Sequence, residues 1–177
     1  MIEVRTLHTA EVEARVLGAA DRLLYEVFEG DWTDDDWDHS LGGVHVLVWE
    51  DGELVGHGAV VLRRLLHRGK AIRTGYVEGV GVRKARQGRG FGAMIMGEVE
   101  RVIEGGYELG ALSASEAAEP FYAKRGWRNW RGPMFRLTPG GVERTADEDG
   151  GLYIWPVTAA VELDGEITCD WRDGETW

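Results

Sequence analysis

Cysteines, histidine clusters and long apolar runs are scarce or missing in this 177-residue chain. The single cysteine, Cys169, cannot form a disulfide within the chain. The five histidines are scattered and lack the spacing of a zinc site, so we expect no metal and only structural or solvated histidines. No apolar run approaches the roughly 20 residues of a membrane-spanning helix, and the sequence opens without a signal-peptide pattern. We therefore expect a cytoplasmic protein with no membrane partner.

Basic residues are also in deficit, with 20 Lys and Arg against 31 Asp and Glu, which gives a net charge of −11. Such a surface repels a phosphate backbone, so we expect no nucleic-acid partner. Long-range attraction favours a cationic ligand instead. The same charge also fits a protein that only needs solubility.

Hydrophobic periodicity predicts a strand and two helices at the start of the chain. Residues 2–7 alternate as in a strand, and apolar residues then recur at helical spacing up to Gly30. Thr33, followed by three aspartates, is typical of the start of a short second helix.

An antiparallel meander is predicted next. The dipeptide Asp51-Gly52 separates two apolar segments, 44–49 and 54–62, which is typical of a tight hairpin. A further turn at 68–70 leads into a third strand over 71–82.

Strands and helices then alternate. A helix is expected over 88–104, stopped by Gly105-Gly106, followed by a strand over 109–112. A further helix is expected from Ser113 to Lys124, with Ser115 as its N-cap. This order implies a parallel crossover.

The remainder holds two expected strands, near 134–137 and 152–157, joined by an acidic, glycine-rich loop. No linker divides the chain. We therefore expect a single domain over residues 1–177.

The most informative segment is a basic, glycine-rich loop between a strand end and a helix. It lies within residues 80–92 and contains Gly88, Gly90 and Gly92. Glycines let backbone N–H groups converge on one anion, and a helix N-terminus adds attraction, so the segment is expected to hold phosphates. It follows a meander and lacks a Lys-Ser/Thr pair, which argues against a Rossmann or a Walker loop.

The run from Gln87 to Gly92, after the strand end Val80-Gly81-Val82, resembles the pyrophosphate loop of the GNAT superfamily of acyl-CoA-dependent N-acetyltransferases. The resemblance implies an α+β (α/β) fold: a mixed central sheet flanked by helices, with an antiparallel N-terminal meander and a parallel, splayed strand pair. It implies acetyl-CoA as the cofactor, with coenzyme A as product. The cofactor-binding residues it implies are Val80, Gly81, Val82, Gln87, Gly88, Arg89, Gly90, Phe91 and Gly92.

The same resemblance implies that the strand before the loop pairs with pantetheine. The N–H of Val80 would then hold the thioester carbonyl, which gains negative charge as the amine attacks. Glycines at 79 and 81 suit an exposed, bulged strand.

Further segments resemble the aminoglycoside 2'-N-acetyltransferases in particular. They are residues 29–31, 39–43, 75–78 and 109–113, and the ending Cys169-Asp170-Trp171-Arg172 with Trp177. The general fold does not require them. The resemblance therefore implies acetylation of the 2'-amino group of aminoglycosides, antibiotic resistance and a homodimer.

Aminoglycosides carry several ammonium groups, which carboxylates would bind. The substrate-binding residues implied by the resemblance are Asp31, Asp36, Glu78, Gly79, Ser113, Glu148, Glu175 and Trp177. Alternatively, the acids of 31–38 and 147–149 are solvated surface and Ser113 is a helix cap. Because the tail mixes acids with tryptophans, we expect it to dock and to place the Trp177 carboxylate beside Glu175.

Glu78, Tyr122 and Val80 are the candidate catalytic residues. Glu78 would accept the amine proton through ordered water, or would only bind an ammonium group. Tyr122 would protonate the departing thiolate, which a pKa of roughly 10 suits, or would be an aromatic core residue.

Two features depart from the better known members of that family. Glu175 follows Gly174 where those members have aspartate, and Glu148 lies among aspartates. Because of these two differences, the sequence does not predict which antibiotic is preferred. The competing hypotheses are a GNAT enzyme for another amine (a polyamine, a peptide or lysine) and a non-catalytic acyl-CoA sensor.

Overall fold

A computed structural model describes all 177 residues, with four helices and ten strands. The helices are α1 (Ala14–Val27), α2 (Asp34–Ser40), α3 (Phe91–Gly106) and α4 (Glu119–Arg125). The strands are β1 (Ile2–His8), β2 (Val44–Glu50), β3 (Glu53–His67), β4 (Lys70–Val82), β5 (Leu109–Ser113), β6 (Arg128–Asn129), β7 (Met134–Thr138), β8 (Gly141–Arg144), β9 (Leu152–Pro156) and β10 (Ile167–Cys169).

The chain divides into two compact units. Unit 1 comprises Met1–Val61 and Val77–Val102, and unit 2 comprises Leu62–Tyr76 and Ile103–Trp177. Strands β3 and β4 contribute residues to both. The single domain over 1–177 stays a prediction.

Unit 1 contains the expected antiparallel meander, in the strand order β1-β2-β3-β4. Ile2 lies opposite Glu50 in the first pair, and Val44 lies opposite Val60 in the second. The hairpin between β2 and β3 turns at Asp51 and Gly52, whose φ angles are +51° and +85°. Two consecutive positive φ angles are the geometry for which Asp-Gly is favoured, so the hairpin prediction is confirmed.

The core of unit 1 lies where α1 meets the meander. Leu23 and Leu24 of α1 are fully buried in one cluster with Leu47 and Leu54. Helix α2 begins after Thr33, as predicted, because the Thr33 side chain and the carboxylate of Asp36 each accept a backbone N–H of the other residue, at 3.2 and 2.8 Å. This capping box fixes the start of the helix.

Unit 2 has the strand order β6-β9-β5-β4-β3-β10-β7-β8. Strands β4 and β5 are parallel, paired from Thr74–Leu109 to Tyr76–Ala111, which confirms the crossover. β10 is also parallel to β7, whereas β9 is antiparallel to β5. Trp130 is fully buried and donates its indole N–H to the Gly165 carbonyl at 3.1 Å.

Two helix boundaries differ from the prediction. Helix α3 begins at Phe91 and runs through Gly106, because the expected first turn is a loop with left-handed glycines. Helix α4 begins at Glu119, with Ala118 rather than Ser115 as N-cap and with a proline in its first turn. The Ser115 carbonyl instead accepts the N–H groups of Ala118 and Glu119, at 2.8 and 3.1 Å.

None of the four helices combines the length and the hydropathy of a membrane span. No group of three or more His, Cys, Asp or Glu side chains is arranged to hold a metal ion.

Candidate active site

The glycine-rich loop after β4 has an open, exposed backbone. Gly88 and Gly90 have φ angles of +74° and +88°, and a Cβ at either position would meet no atom within 4 Å. The expectation of left-handed glycines is therefore confirmed at both positions. Gly92 differs, because it lies in the first turn of α3 without a positive φ. Phe91, only 1% exposed, anchors the start of that helix.

The side chain of Gln87 closes the loop on itself, since its amide nitrogen donates to the Val82 carbonyl at 3.0 Å. The N–H groups of the first helical turn have no partner within a helix. An anion at this helix start would meet those N–H groups and the positive end of the helix dipole.

Every basic residue of the loop is paired with a glutamate of unit 1. The pairs are Arg83–Glu26, Lys84–Glu29, Arg86–Glu50 and Arg89–Glu50. Glu50 is the most buried partner, with 13% of its side chain exposed, and both of its oxygens accept from Arg89, at 2.5 and 2.9 Å. The positive charge of the loop is thus largely offset within the protein.

The last part of β4 carries a local distortion at Gly79. Its φ is +55°, and a Cβ there would lie 3.0 Å from Leu24, 3.2 Å from Trp32 and 3.3 Å from the Ser40 hydroxyl. Both the conformation and the crowding require glycine. A left-handed glycine within a strand is compatible with the expected bulge, whereas Gly81 is buried, contrary to the expectation of an exposed strand. Glu78 and Val80, on either side of Gly79, are half-buried.

Asp31 and Asp36 lie near the start of α2 and differ in solvent exposure and in hydrogen bonding. Asp31 is exposed and donates its N–H to the Phe28 carbonyl at 2.9 Å, which closes the end of α1. Oδ2 of Asp36 accepts both the N–H and the hydroxyl of Thr33, at 2.8 and 2.7 Å. One oxygen of Asp36 is therefore committed to the helix cap.

In unit 2, two predicted substrate residues, Ser113 and Glu148, line one acidic cleft of about 440 Å³. Its lining holds five carboxylates and no lysine or arginine: Glu116, Glu119, Asp147, Glu148 and Asp149. Burial raises the pKa of Glu148, and the charges of Glu175 and Asp147 raise it further. A bound cation would relieve that repulsion.

The C-terminal tail is docked, as expected. The Trp177 side chain is buried, and its indole N–H donates to the Thr145 hydroxyl at 3.0 Å. Arg172 donates to the Glu175 carbonyl at 2.8 Å. Trp171 differs from the expectation, because it is 46% exposed.

The segment Cys169-Asp170-Trp171-Arg172 explains how the tail is held. Arg63 is buried, donates to the Asp170 carboxylate at 2.7 Å and lies over the Tyr76 ring at 4.6 Å. Arg172 contacts the same ring at 5.4 Å. Asp170 and Arg172 therefore attach the tail to Arg63 and Tyr76.

Tyr122 lies in α4, is 8% exposed and packs against the edges of Phe121 and Trp127. Burial raises its pKa to about 12, so the expected ordinary value is wrong. The phenol keeps its proton at neutral pH and is a weaker acid than an exposed tyrosine.

Sequence reasoning missed a buried pair of histidines in unit 1. His45 on β2 and His57 on β3 are both fully buried, and their rings share a hydrogen bond of 2.9 Å. The sequence carried no signal for the pair, because a regular Asp51-Gly52 hairpin would place His57 opposite Val46, on the other face from His45. The register shift between Val48 and Trp49 is what makes His45 and His57 diagonal neighbours across β2 and β3.

Comparisons with known proteins agree with these features. Residues 6–129 match the family model of the acetyltransferase (GNAT) domain. An aminoglycoside 2'-N-acetyltransferase of Mycolicibacterium fortuitum is 49% identical over 98% of this chain and 91% of that protein.

Two solved structures show the same fold at low identity. A GNAT family acetyltransferase from Brucella melitensis, in complex with acetyl-CoA, has a TM-score of 0.64 and 14% identity over 94% of each chain. The ribosomal-protein-S18-alanine N-acetyltransferase from Escherichia coli has a TM-score of 0.61 and 16% identity over 92% of this chain and 97% of that one. The expected fold class is thereby confirmed.

Proposed function

Because this chain belongs to the GNAT acetyltransferase family, we propose that it transfers an acetyl group from acetyl-CoA to the 2'-amino group of aminoglycosides. The observation that carries the proposal is the 49% identity with an aminoglycoside 2'-N-acetyltransferase over nearly the whole chain. Aminoglycoside resistance is the physiological role that we propose, exerted in the cytoplasm by a homodimer.

Acetyl-CoA is the acetyl donor in this proposal, and the loop after β4 receives its pyrophosphate. Two observations support the fit: the left-handed, unobstructed backbone at Gly88 and Gly90, and the helix start at Phe91. Arg89 reaches a phosphate only by leaving Glu50. Val80, Gly81 and Val82 offer backbone groups to the pantetheine arm.

The aminoglycoside is held through its ammonium groups. Glu148, whose pKa is raised by burial and by the charge of Glu175, binds an ammonium group together with Glu175, and Ser113 adds a hydrogen bond within the acidic cleft. Asp31, Gly79 and the second carboxylate oxygen of Asp36 are further proposed contacts. The Trp177 indole is buried, so only main-chain atoms of this residue are assigned to the substrate.

In the proposed reaction the amine attacks the thioester carbon, the C–N bond forms and the C–S bond breaks. Glu78 accepts the amine proton, directly or through water. The Val80 N–H stabilises the charge that develops on the carbonyl oxygen. Tyr122, which is protonated at neutral pH and which its raised pKa makes a weaker acid than an exposed tyrosine, gives its proton to the departing thiolate.

A panel of drugs tests the proposal. Purified protein, acetyl-CoA and gentamicin, tobramycin, kanamycin A or amikacin are mixed, and thiol release is followed. Gentamicin and tobramycin, which have a 2'-amine, should be acetylated, whereas kanamycin A and amikacin, which have a 2'-hydroxyl, should not. Turnover only with a polyamine, a peptide or lysine would replace the substrate assignment, and acyl-CoA binding without any turnover would indicate a sensor.

A further inference from the structure

The two buried histidines form part of a continuous hydrogen-bond chain in unit 1. Nε2 of His45 lies 2.8 Å from the Thr9 hydroxyl, and Nδ1 of His45 lies 2.9 Å from Nε2 of His57. Nδ1 of His57 lies 2.8 Å from the carbonyl oxygen of Gly79. Trp37 packs on both rings, at centroid distances of 6.2 and 6.0 Å.

The direction of every bond in this chain is determined. A carbonyl only accepts, so Nδ1 of His57 carries a proton. Burial lowers the pKa of His57 to about 3 and that of His45 to about 4, so both rings are neutral and have one N–H each. Nε2 of His57 must therefore accept from Nδ1–H of His45, and Nε2 of His45 must accept from Thr9. The single proton of the Thr9 hydroxyl is then donated to His45, at 2.8 Å, rather than to the Gly43 carbonyl, which lies 3.2 Å from the same oxygen. The chain permits only one pair of tautomers.

This chain ends on the peptide group that joins Gly79 and Val80. No peptide bond in the protein is cis, and in a trans peptide the C=O and the N–H lie in one plane and point in opposite directions. A bond that holds the Gly79 carbonyl toward His57 therefore holds the Val80 N–H in the opposite direction. Gly79 is in a left-handed conformation, so this peptide is not oriented by regular strand geometry.

We propose that His57, supported by His45, is a positioning residue that aims the Val80 N–H at the oxygen of the reacting thioester. The inference rests on the proposed function through the role of Val80. Packing alone does not require this pair, because two apolar side chains would fill the same space without needing partners for buried nitrogens. The polar chain instead fixes a peptide orientation, and an oxyanion donor is effective only when it is oriented in advance.

Three variants test the inference by steady-state kinetics. His57→Leu removes the donor to Gly79, whereas His57→Asn keeps an amide N–H near the position of Nδ1. His67→Leu is the matched control, because His67 is equally buried (3% exposed) and its Nδ1 lies 2.8 Å from the carbonyl oxygen of Glu166, away from β4. We expect kcat to fall about tenfold to a hundredfold in His57→Leu, with both KM values within about twofold of wild type. His57→Asn should recover most of the loss, and His67→Leu should lose stability but keep its kcat.

Equal kcat values in the two leucine variants, or a His57→Asn enzyme as slow as His57→Leu, would overturn the positioning role. If the wild-type protein acetylates a different amine, the same comparison is made with that amine. The absence of transfer to any amine contradicts the proposed function, whereas normal wild-type transfer with equal rates in the leucine variants contradicts only the inference about His57.

A spectroscopic measurement covers the case in which a variant does not fold. In the ¹⁵N-labelled wild-type protein, both rings should show a protonated Nδ1 and an unprotonated Nε2 at neutral pH. A proton on Nε2 of His57 would refute the chain directly. In folded His57→Leu, the Val80 amide resonance should move, and it should not move in His67→Leu.

Discussion

Separate substitutions of Trp177 and Glu175 should distinguish two roles of the docked tail. The buried Trp177 side chain anchors the tail, and the Glu175 carboxylate supplies negative charge to the proposed substrate site. Trp177 is 5% exposed and its indole has a hydrogen-bond partner, whereas the Glu175 side chain is exposed. The two substitutions therefore act on different quantities, stability in the first case and substrate affinity in the second.

The stability effect follows from the buried indole. A buried tryptophan covers roughly 150–250 Å², which at about 25 cal/mol per Å² corresponds to about 4–6 kcal/mol as an upper bound. Measured losses for such truncations are about 3–5 kcal/mol. For a chain of this size each kcal/mol lowers the Tm by about 2–4 °C, so we expect Trp177→Ala to lower it by about 10 °C.

The affinity effect follows from charge. Glu175→Gln leaves the fold within about 0.5 kcal/mol of wild type but removes one proposed ligand of an ammonium group. We expect the aminoglycoside KM to rise about tenfold, equivalent to about 1.4 kcal/mol, with no change in the acetyl-CoA KM. Thermal unfolding and thiol-release kinetics measure the two effects. Glu166→Gln, which removes the same charge from another exposed site of unit 2, is the control.

Two results would refute this reasoning. A wild-type KM for every aminoglycoside in Glu175→Gln would remove Glu175 from the site. An equal rise of KM in Glu166→Gln would show that only the net charge of the protein matters.

Three further predictions concern the donor loop, the leaving group and pH. Gly90→Val forces a β-branched residue into a left-handed conformation (φ +88°) and should raise the acetyl-CoA KM at least about tenfold. Gly97→Ala in α3, where a Cβ meets no atom within 4 Å, should leave this KM unchanged. Equal KM values in the two variants would contradict the assignment of the loop to the cofactor. Tyr122→Phe should lower kcat by roughly 10² to 10⁴ with nearly unchanged Tm, and an unchanged kcat would make this ring a core residue only. In the folded protein the pKa values of His45 and His57 are about 4 and about 3, whereas both are roughly 6.5 in the unfolded chain, so the unfolded state binds more protons in acid. The stability that depends on the neutral pair is therefore full above about pH 6.5 and is lost as the pH falls through 4 toward 3. Urea unfolding at pH 7 and pH 5 should therefore show a larger loss for wild type than for His57→Leu, and equal losses would contradict the neutral pair.

The sequence predicts best those elements whose signals are local. The Asp51-Gly52 hairpin, the Thr33 cap and the left-handed glycines of the loop each depend on residues a few positions apart, and all three are present. Strands β6 and β10, with two and three residues, are too short to show any periodicity. They could not be predicted from composition.

Competing local signals account for the error at α4. Ser115 has the chemistry of an N-cap, but Pro120 favours the first turn of a helix, and the helix begins next to the proline. The turn between Ser115 and Pro120, in which Ala118 and Glu119 donate to the Ser115 carbonyl, decides between the two signals.

Properties that depend on tertiary burial were beyond the sequence. The ordinary pKa assigned to Tyr122 ignored the aromatic packing around α4, which raises it to about 12. The link between His45 and His57 needed the register of two strands and the direction of each side chain. Residue roles implied by resemblance, such as those of Glu78 and Glu175, remain proposals.

The pairing of Glu50 with Arg86 and Arg89 has a kinetic consequence. In the proposed complex, the phosphates of coenzyme A would displace Glu50 from the arginines, and Glu50 would pair with them again when the phosphates leave, so the charges would exchange partners instead of losing them. Departure of the product is then opposed less strongly than it would be in a loop whose cations had no internal acceptor. Since product release limits turnover in many enzymes, a glutamate that weakens cofactor affinity can increase the number of acetyl groups transferred per second.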